Sequence, residues 1–327
     1  MKLLIALYHR FHPWIAPLWF SERLRADFPQ LEVVQLPNYD RITEEIADAD
    51  LAIAWSLRGD QITAAKKLRW VHSTAAAVHG LMTPELQASE IIVTNARSVH
   101  GPVVAEHAMS LVFALAKRLP EAAKFQALRH WAQQEICETA PRPRELKDAT
   151  MVIVGFGSIG TSLAKLARAL GMRVVGVREH PEKGSGIADA MYGFDDLNRA
   201  LGEGDFVVLA IPVTEKTRRL MNAERFTHLK PDAYLVNVGR GVLIDEEALL
   251  HALRSNRFAG AALDVTTEEP LAPGSPLWTM ENVFITPHTA GFAAKMWERH
   301  YVSYIENLRR YLAGNPLQWT VDKKAGY

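Results

Sequence analysis

Short runs of Val, Ile, Leu and Ala recur along this chain, separated by longer stretches in which apolar residues fall three and four apart. "KLLIALY", "LEVVQL", "DLAIAW", "RWVHS" and "EIIVTN" form a first series of predicted strands, with helical spacing between most of them. A second series follows the Pro-rich segment "TAPRPREL": "TMVIVG", "MRVVGV", "DFVVLAIP", "AYLVNVG", "FAGAALDV" and "VFITP". These runs are almost wholly apolar, as expected of parallel strands buried on both faces. The connections are long enough for the right-handed helical crossovers that parallel pairing demands. The alternation therefore predicts an α/β protein.

Two stretches stand outside the series. "GPVVAEHAMSLVFALAKRLPEAAKFQALRHW" keeps helical spacing after a Pro near its first turn, which predicts one long helix linking the two halves. "FAAKMWERHYVSYIENLRRYLAGN" predicts a long amphipathic helix with a Gly-Asn stop. Having no strand series of its own, it is expected to pack on the first half.

The 327 residues are enough for two domains, and 48% hydrophobic composition supplies ample core. A formal net charge of zero, with both signs interspersed, leaves no electrostatic footprint for nucleic acid or an anionic membrane. A small, locally recognised ligand is expected instead. One cysteine, Cys137, excludes an internal disulfide, and no His/Cys cluster has zinc-site spacing, so no metal is expected. The apolar start ends at Tyr8 with charge close behind, which fits a first buried strand better than a signal peptide. No run approaches the roughly 18 apolar residues of a membrane span. The expectation is a cytoplasmic protein.

"MVIVGFGSIG", Met151 to Gly160, carries G-x-G-x-x-G. That spacing alone is weak, because many strand-to-helix turns need glycine. Its surroundings strengthen it: "TMVIVGFGSIGTSLAKLARALGMRVVGV" has βαβ length and order. Gly155 would permit the tight turn, Gly157 would admit a pyrophosphate, and Gly160 would let the helix pack on the sheet. The N–H groups of Ser158 and Ile159 would face phosphate from the positive helix end. An acid normally follows the second strand to hold ribose hydroxyls, yet here stands Arg178, which suits a 2′-phosphate. NADP is therefore the expected cofactor, with NAD open through Glu179.

Three polar residues fall just beyond predicted strand ends: Arg240, Glu269 and His288. Ligands bind there in open α/β sheets. Reducing a 2-oxo acid needs a fixed cation for its oxygens and an acid that protonates the carbonyl oxygen. Arg240 suits the first task and His288 the second, with Glu269 orienting the imidazole. Taken singly, each has a plainer reading as a helix cap, a solvated acid or a turn histidine.

Together they sit in segments that resemble the D-isomer-specific 2-hydroxyacid dehydrogenase family. The resemblance covers nearly the whole chain, including "NARSVHGPVVAEHAMSLVFALAKR", "LAIPVTEKTRRLMN", "AYLVNVGRGVLIDEEALLHAL", "AALDVTTEEPL" and "ITPHTAG". It implies two doubly wound parallel-sheet domains, a Rossmann cofactor domain (101–288) inserted in a flavodoxin-like substrate domain (1–100 plus 289–327), and a homodimer. It implies a substrate-binding Arg240, a Glu269–His288 acid/base pair, and a cofactor lined by Ile211, Pro212, Thr217, Val238, Gly239 and Asp264, the last near the nicotinamide carboxamide. It further implies a substrate carboxylate held by backbone N–H groups of Ala76 and Ala77. There the family usually has a Gly-containing loop ending in Val-Asp, whereas this chain reads "STAAAVHG". A cleft that must close to exclude water places expected hinges near His100 and Pro287.

His79, His100 and His107 are expected to be structural, and Trp55 and Trp297 are candidates for either the pocket or the core. Other readings are a nucleotide-sensing corepressor, phosphoglycerate dehydrogenase activity, and formate dehydrogenase, which typically has Gln where this chain has "TPH".

Overall fold

The computed structural model describes residues 1–9, 11–184 and 186–324. The chain divides into two compact units, Met1–His100 with Ala293–Tyr327, and Gly101–Phe292. Residues 289–292 thus group with the second unit rather than the first.

The first unit holds strands β1 (Lys2–Ala6), β2 (Glu32–Gln35), β3 (Leu51–Ala54), β4 (Trp70–Ser73) and β5 (Ile92–Asn95). They pair in the order β2-β1-β3-β4-β5, every pair parallel. This is the flavodoxin-like order. β1, β3 and β4 are buried along their whole length, as interior strands of a parallel sheet covered on both faces are. The C-terminal helix Met296–Leu312 closes one face, placing Met296, Trp297, Tyr301, Tyr304 and Leu308 against Leu3, Ile5, Phe20 and Trp70.

The second unit holds β6 (Thr150–Val154), β7 (Arg173–Val177), β8 (Ala190–Tyr192), β9 (Phe206–Leu209), β10 (Tyr234–Asn237), β11 (Gly260–Leu263) and β12 (Val283–Ile285). Their order is β12-β11-β10-β9-β6-β7-β8, again all parallel. Counted from β6, that is the 3-2-1-4-5-6 Rossmann order with one strand added at the far edge. The order reverses between β6 and β9, in register Met151↔Phe206 to Val154↔Leu209. A crevice at the carboxyl ends of these two strands is where such a sheet binds ligand.

Two elements depart from the sequence reading. The expected single helix is broken: one helix runs Arg97–Ala116, Arg118 takes φ +54°, and a second runs Leu119–Ala127. In a continuous helix Pro120 would lack its N–H for Ala116 and its ring would clash with that carbonyl, so the chain restarts with Pro120 in a first turn. Arg118 is fixed there by donating to the carbonyls of Glu135, Ile136 and Thr139. β8 has no counterpart in the predicted series, since three half-buried edge residues carry too little apolar signal. The 97–116 helix has a span-like mean hydropathy of 1.3, but 72% of that window is buried in the protein, as befits a core helix.

Candidate active site

β6 ends in a turn only glycine makes easily. Gly155 has φ +102°, and a Cβ there would meet the Ala210 carbonyl oxygen at 2.6 Å, so the turn lies hard against the chain leaving β9. Gly157 then occupies the N-cap of the Ser158–Ala169 helix, with no side chain capping its first turn. A Cβ on Gly157 would meet nothing within 4 Å. Uncapped donors at the positive end of a helix, beside open space at the strand-order reversal, fit a pyrophosphate. Ser158 and Ile159 open that helix half-buried, and Gly160 is buried beneath it.

The other residues expected at the cofactor are distributed around this turn. Ile211 is buried and Pro212 exposed just past β9. The Thr217 hydroxyl donates to the Pro212 carbonyl at 2.8 Å and accepts from the Thr214 N–H at 2.7 Å, so it shapes that loop. Val238 and Gly239 are buried after β10, where the Gly239 N–H donates to Asn237 Oδ1 at 3.0 Å. Arg178 directly follows β7; its Nη1 donates to the Gly184 carbonyl at 3.2 Å. Next to it Lys216 lies 3.4 Å from Glu179.

Arg240, Glu269 and His288 come from the segments after β10, β11 and β12, and the parallel register brings these segments to one edge of the sheet. His288 Nδ1 lies 2.5 Å from Glu269 Oε2, while Glu269 Oε1 accepts the Thr266 N–H at 3.1 Å. With Nδ1 committed to Glu269, Nε2 is the ring nitrogen left for a substrate. Burial pushes the Glu269 carboxyl up, but the hydrogen bond and charge of His288, the Thr266 N–H and Arg240 outweigh it and hold the group below its usual range. Burial also draws the Arg240 guanidinium down, against the opposing pull of Glu269. Gly241 makes this closeness attainable, since a Cβ there would fall 1.9 Å from the Thr266 carbonyl carbon.

His288 itself has φ +52°, a left-handed conformation that costs a non-glycine residue about 1–2 kcal/mol. Its backbone N–H donates to the Asp264 carbonyl at 2.8 Å. The Asp264 carboxylate, with a side chain 1% exposed, accepts from Thr286 Oγ1 at 2.6 Å and from the N–H groups of Thr289 and Ala290 at 3.0 and 3.1 Å. His107 Nε2 completes the group, 3.0 Å from Thr286 Oγ1 and 3.3 Å from Asp264 Oδ1. Burial raises the Asp264 carboxyl, but His107, Thr286 and the two amides together bring it below its ordinary value. Neither Thr286 nor this use of His107 was legible beforehand; the one available signal was a polar residue on the apolar face of a core helix.

Ala76 and Ala77 lie half-buried in the loop after β4, in the first unit, where the Ala76 carbonyl accepts from Asn95 Nδ2 at 2.7 Å. His79 is exposed, and buried His100 has Nε2 3.0 Å from the Thr74 carbonyl. Trp297 is a core residue, its Nε1 donating to the Pro13 carbonyl at 3.0 Å and its ring edge-on to Phe20. Trp55 sits edge-on to Trp14.

Residues 109–290 match the family described as D-isomer specific 2-hydroxyacid dehydrogenase, NAD binding domain. A glyoxylate reductase of Pyrococcus furiosus is 34% identical over 266 residues, 78% of this chain and 78% of that protein. D-3-phosphoglycerate dehydrogenase of Methanocaldococcus jannaschii is 31% identical over 87% of this chain, and the match spans only 54% of that longer protein. Among solved structures, the NADPH-dependent glyoxylate/hydroxypyruvate reductase of Sinorhizobium meliloti, in complex with NADP and sulfate, superposes with a TM-score of 0.82 at 27% identity, covering 100% of this chain and 99% of that one.

Proposed function

The chain belongs to the D-isomer specific 2-hydroxyacid dehydrogenase family, and from that premise we propose that it reduces a small 2-oxo acid to the D-2-hydroxy acid, with NADPH preferred over NADH. The observation that carries this reading is the 2.5 Å contact between His288 and Glu269 beside the half-buried Arg240. An imidazole braced by a carboxylate next to a fixed guanidinium is what reduction of a carbonyl flanked by a carboxylate needs.

When bound, a reduced nicotinamide supplies the hydride. Arg240 binds the substrate carboxylate and carbonyl oxygen, setting the carbonyl carbon in place. His288 holds a proton on Nε2 and gives it to the carbonyl oxygen as charge builds there. Glu269 keeps the ring oriented through Nδ1 and balances the imidazolium. The amides at Ser158 and Ile159 carry the pyrophosphate, with Gly157 leaving room for it. Ile211, Pro212, Val238 and Gly239 line the nucleotide, Thr217 shapes the 212–217 loop, and Asp264 Oδ2 keeps an acceptor position for the carboxamide. Arg178 pairs with the 2′-phosphate, and the NADP on the Sinorhizobium relative favours that choice. The cytoplasmic location expected from the sequence and the homodimer implied by the resemblance belong to the same reading.

The experiment is the initial rate of NADPH and NADH oxidation with glyoxylate, hydroxypyruvate, pyruvate and a branched 2-oxo acid, with chiral analysis of products that have a stereocentre. Rapid NADPH-dependent formation of one D-2-hydroxy acid is the expected result. Nucleotide binding without turnover on any of them would overturn the proposal.

A further inference from the structure

We infer that His107 is a positioning residue for the His288 loop: with Thr286 and Asp264 it locks the left-handed turn that presents the His288 imidazole. The inference rests on the reading of His288 as proton donor and adds to it a residue on a distant helix.

The hydrogen bonds have a definite direction. Thr286 Oγ1 lies 2.6 Å from Asp264 Oδ1 and gives its proton to that carboxylate. Its lone pairs must then accept from His107 Nε2, 3.0 Å away, which fixes the Nε2–H form of that ring. The same N–H lies 3.3 Å from Asp264 Oδ1. His107 thus donates to Thr286 and stands within ion-pair distance of Asp264. Asp264 in turn receives Thr289 and Ala290 through its carboxylate and His288 through its carbonyl, so three consecutive amides of the loop end on one residue.

This matters because His288 adopts a backbone conformation that it would not choose alone. Such conformations persist where surrounding contacts over-determine them, and they cluster at working sites. The 97–116 helix supplies the outer restraint. Its Val104, Ala108 and Leu111 share one apolar core with Ala290, so the donor and the loop have a common rigid support. Removing the His107 donor leaves Thr286 with an unfilled acceptor site, takes away the imidazole beside Asp264 and loosens the turn. Since a displacement of about 1 Å at a reacting group can cost a hundredfold in rate, the loss should appear chiefly in turnover, with a much smaller change in nucleotide affinity.

The test compares wild type, His107→Phe, His107→Gln and His288→Asn. Phe keeps the ring and loses the donor, whereas Gln places an amide N–H near the position of Nε2. His107→Phe is expected to lower kcat roughly ten- to a hundredfold with NADPH Kd by fluorescence within about threefold of wild type, because the contact it removes is to Thr286 and Asp264 Oδ1 rather than Oδ2. The acid-side fall in kcat should move to higher pH, because a looser His288 releases the contact that helps keep Glu269 ionised. His107→Gln should restore most of both. Wild-type kcat and pH profile in His107→Phe, alongside an inactive His288→Asn, would overturn the inference, as would equal impairment in the Phe and Gln variants. Full turnover in His288→Asn would instead remove the proton-donor reading. The loop restraint is then decided by the crystal structure of His107→Phe: a residue 288 that leaves the left-handed region supports it, and one that stays overturns it.

Discussion

Glu269 and His288 are 19 residues apart in sequence and 2.5 Å apart in space, and neither is deeply buried. An ion pair this exposed contributes little to stability, so its value lies in geometry. Replacing His288 with Asn should cut kcat by about 10²- to 10⁴-fold, the usual size of a general acid's contribution, while nucleotide affinity stays within a few-fold. Glu269→Gln should cost less, on the order of 10- to 100-fold, because a neutral amide can still orient the ring but cannot balance its charge. Steady-state kinetics with fluorescence titration of NADPH separates the two effects; equal loss in kcat and in nucleotide affinity would point to a collapsed site. Arg240, Glu269 and His288 could all be picked out as residue types beyond strand ends. Their mutual distances could not, because these depend on Gly241 allowing residues 266–267 to lie directly against the backbone at position 241.

Among the elements, the pairing of β4 with the C-terminal helix has the clearest pH consequence. His72 on β4 is buried with Nδ1 2.8 Å from Thr94 Oγ1, and burial pushes its pKa down to about 3. His300, on the helix, is pushed well below its usual value by burial and by His100 and His72. The His100 ring packs 5.2 Å from that of His300, Trp297 packs 5.3 Å from it, and Tyr304, one turn on, packs against His72 and Trp70. Both imidazoles are therefore held neutral in the folded state. The unfolded chain binds protons at these rings from about pH 6.5 downward and the folded chain does not, so stability is full above pH 6.5 and falls below it. Each ring should remove about 1.4 kcal/mol per pH unit. Denaturant titrations at pH 7.5, 6 and 5, where carboxylates stay ionised, should show that loss, and His300→Phe should reduce its slope. A slope unchanged by His300→Phe would mean that this ring is not held neutral. The helix break at Arg118 belongs to the same scale: periodicity carried the helical reading through Pro120, and the backbone could not follow.

At the scale of the whole molecule, the two ends of the chain build one unit and the middle builds the other. Six large side chains of the C-terminal helix, Met296, Trp297, Tyr301, Tyr304, Ile305 and Leu308, lie in the core of the first unit. At about 1.5–3 kcal/mol for each fully buried side chain, their loss is on the order of 10 kcal/mol, comparable to the entire stability of a domain. A chain ending at Phe292 should therefore expose the apolar face of the β1–β5 sheet, bind a hydrophobic dye and lose the near-ultraviolet circular dichroism of Trp70; a cooperative, dye-free unfolding transition would contradict this. The sequence alone determined the alternation of buried strands and amphipathic helices, the glycine turn after β6 and the residue types after β10, β11 and β12. These are local matters, because periodicity reports which face of an element is buried and glycine reports where backbone must turn or approach. Tertiary structure decided the rest: the strand order, the edge strand β8, the core position of Trp297, the 2.5 Å pairing of His288 with Glu269, and the convergence of His107, Thr286 and three loop amides on Asp264. The physical reason is that a hydrogen bond needs placement within a few tenths of an ångström, and between residues far apart in the chain only the packing of the elements that carry them supplies it.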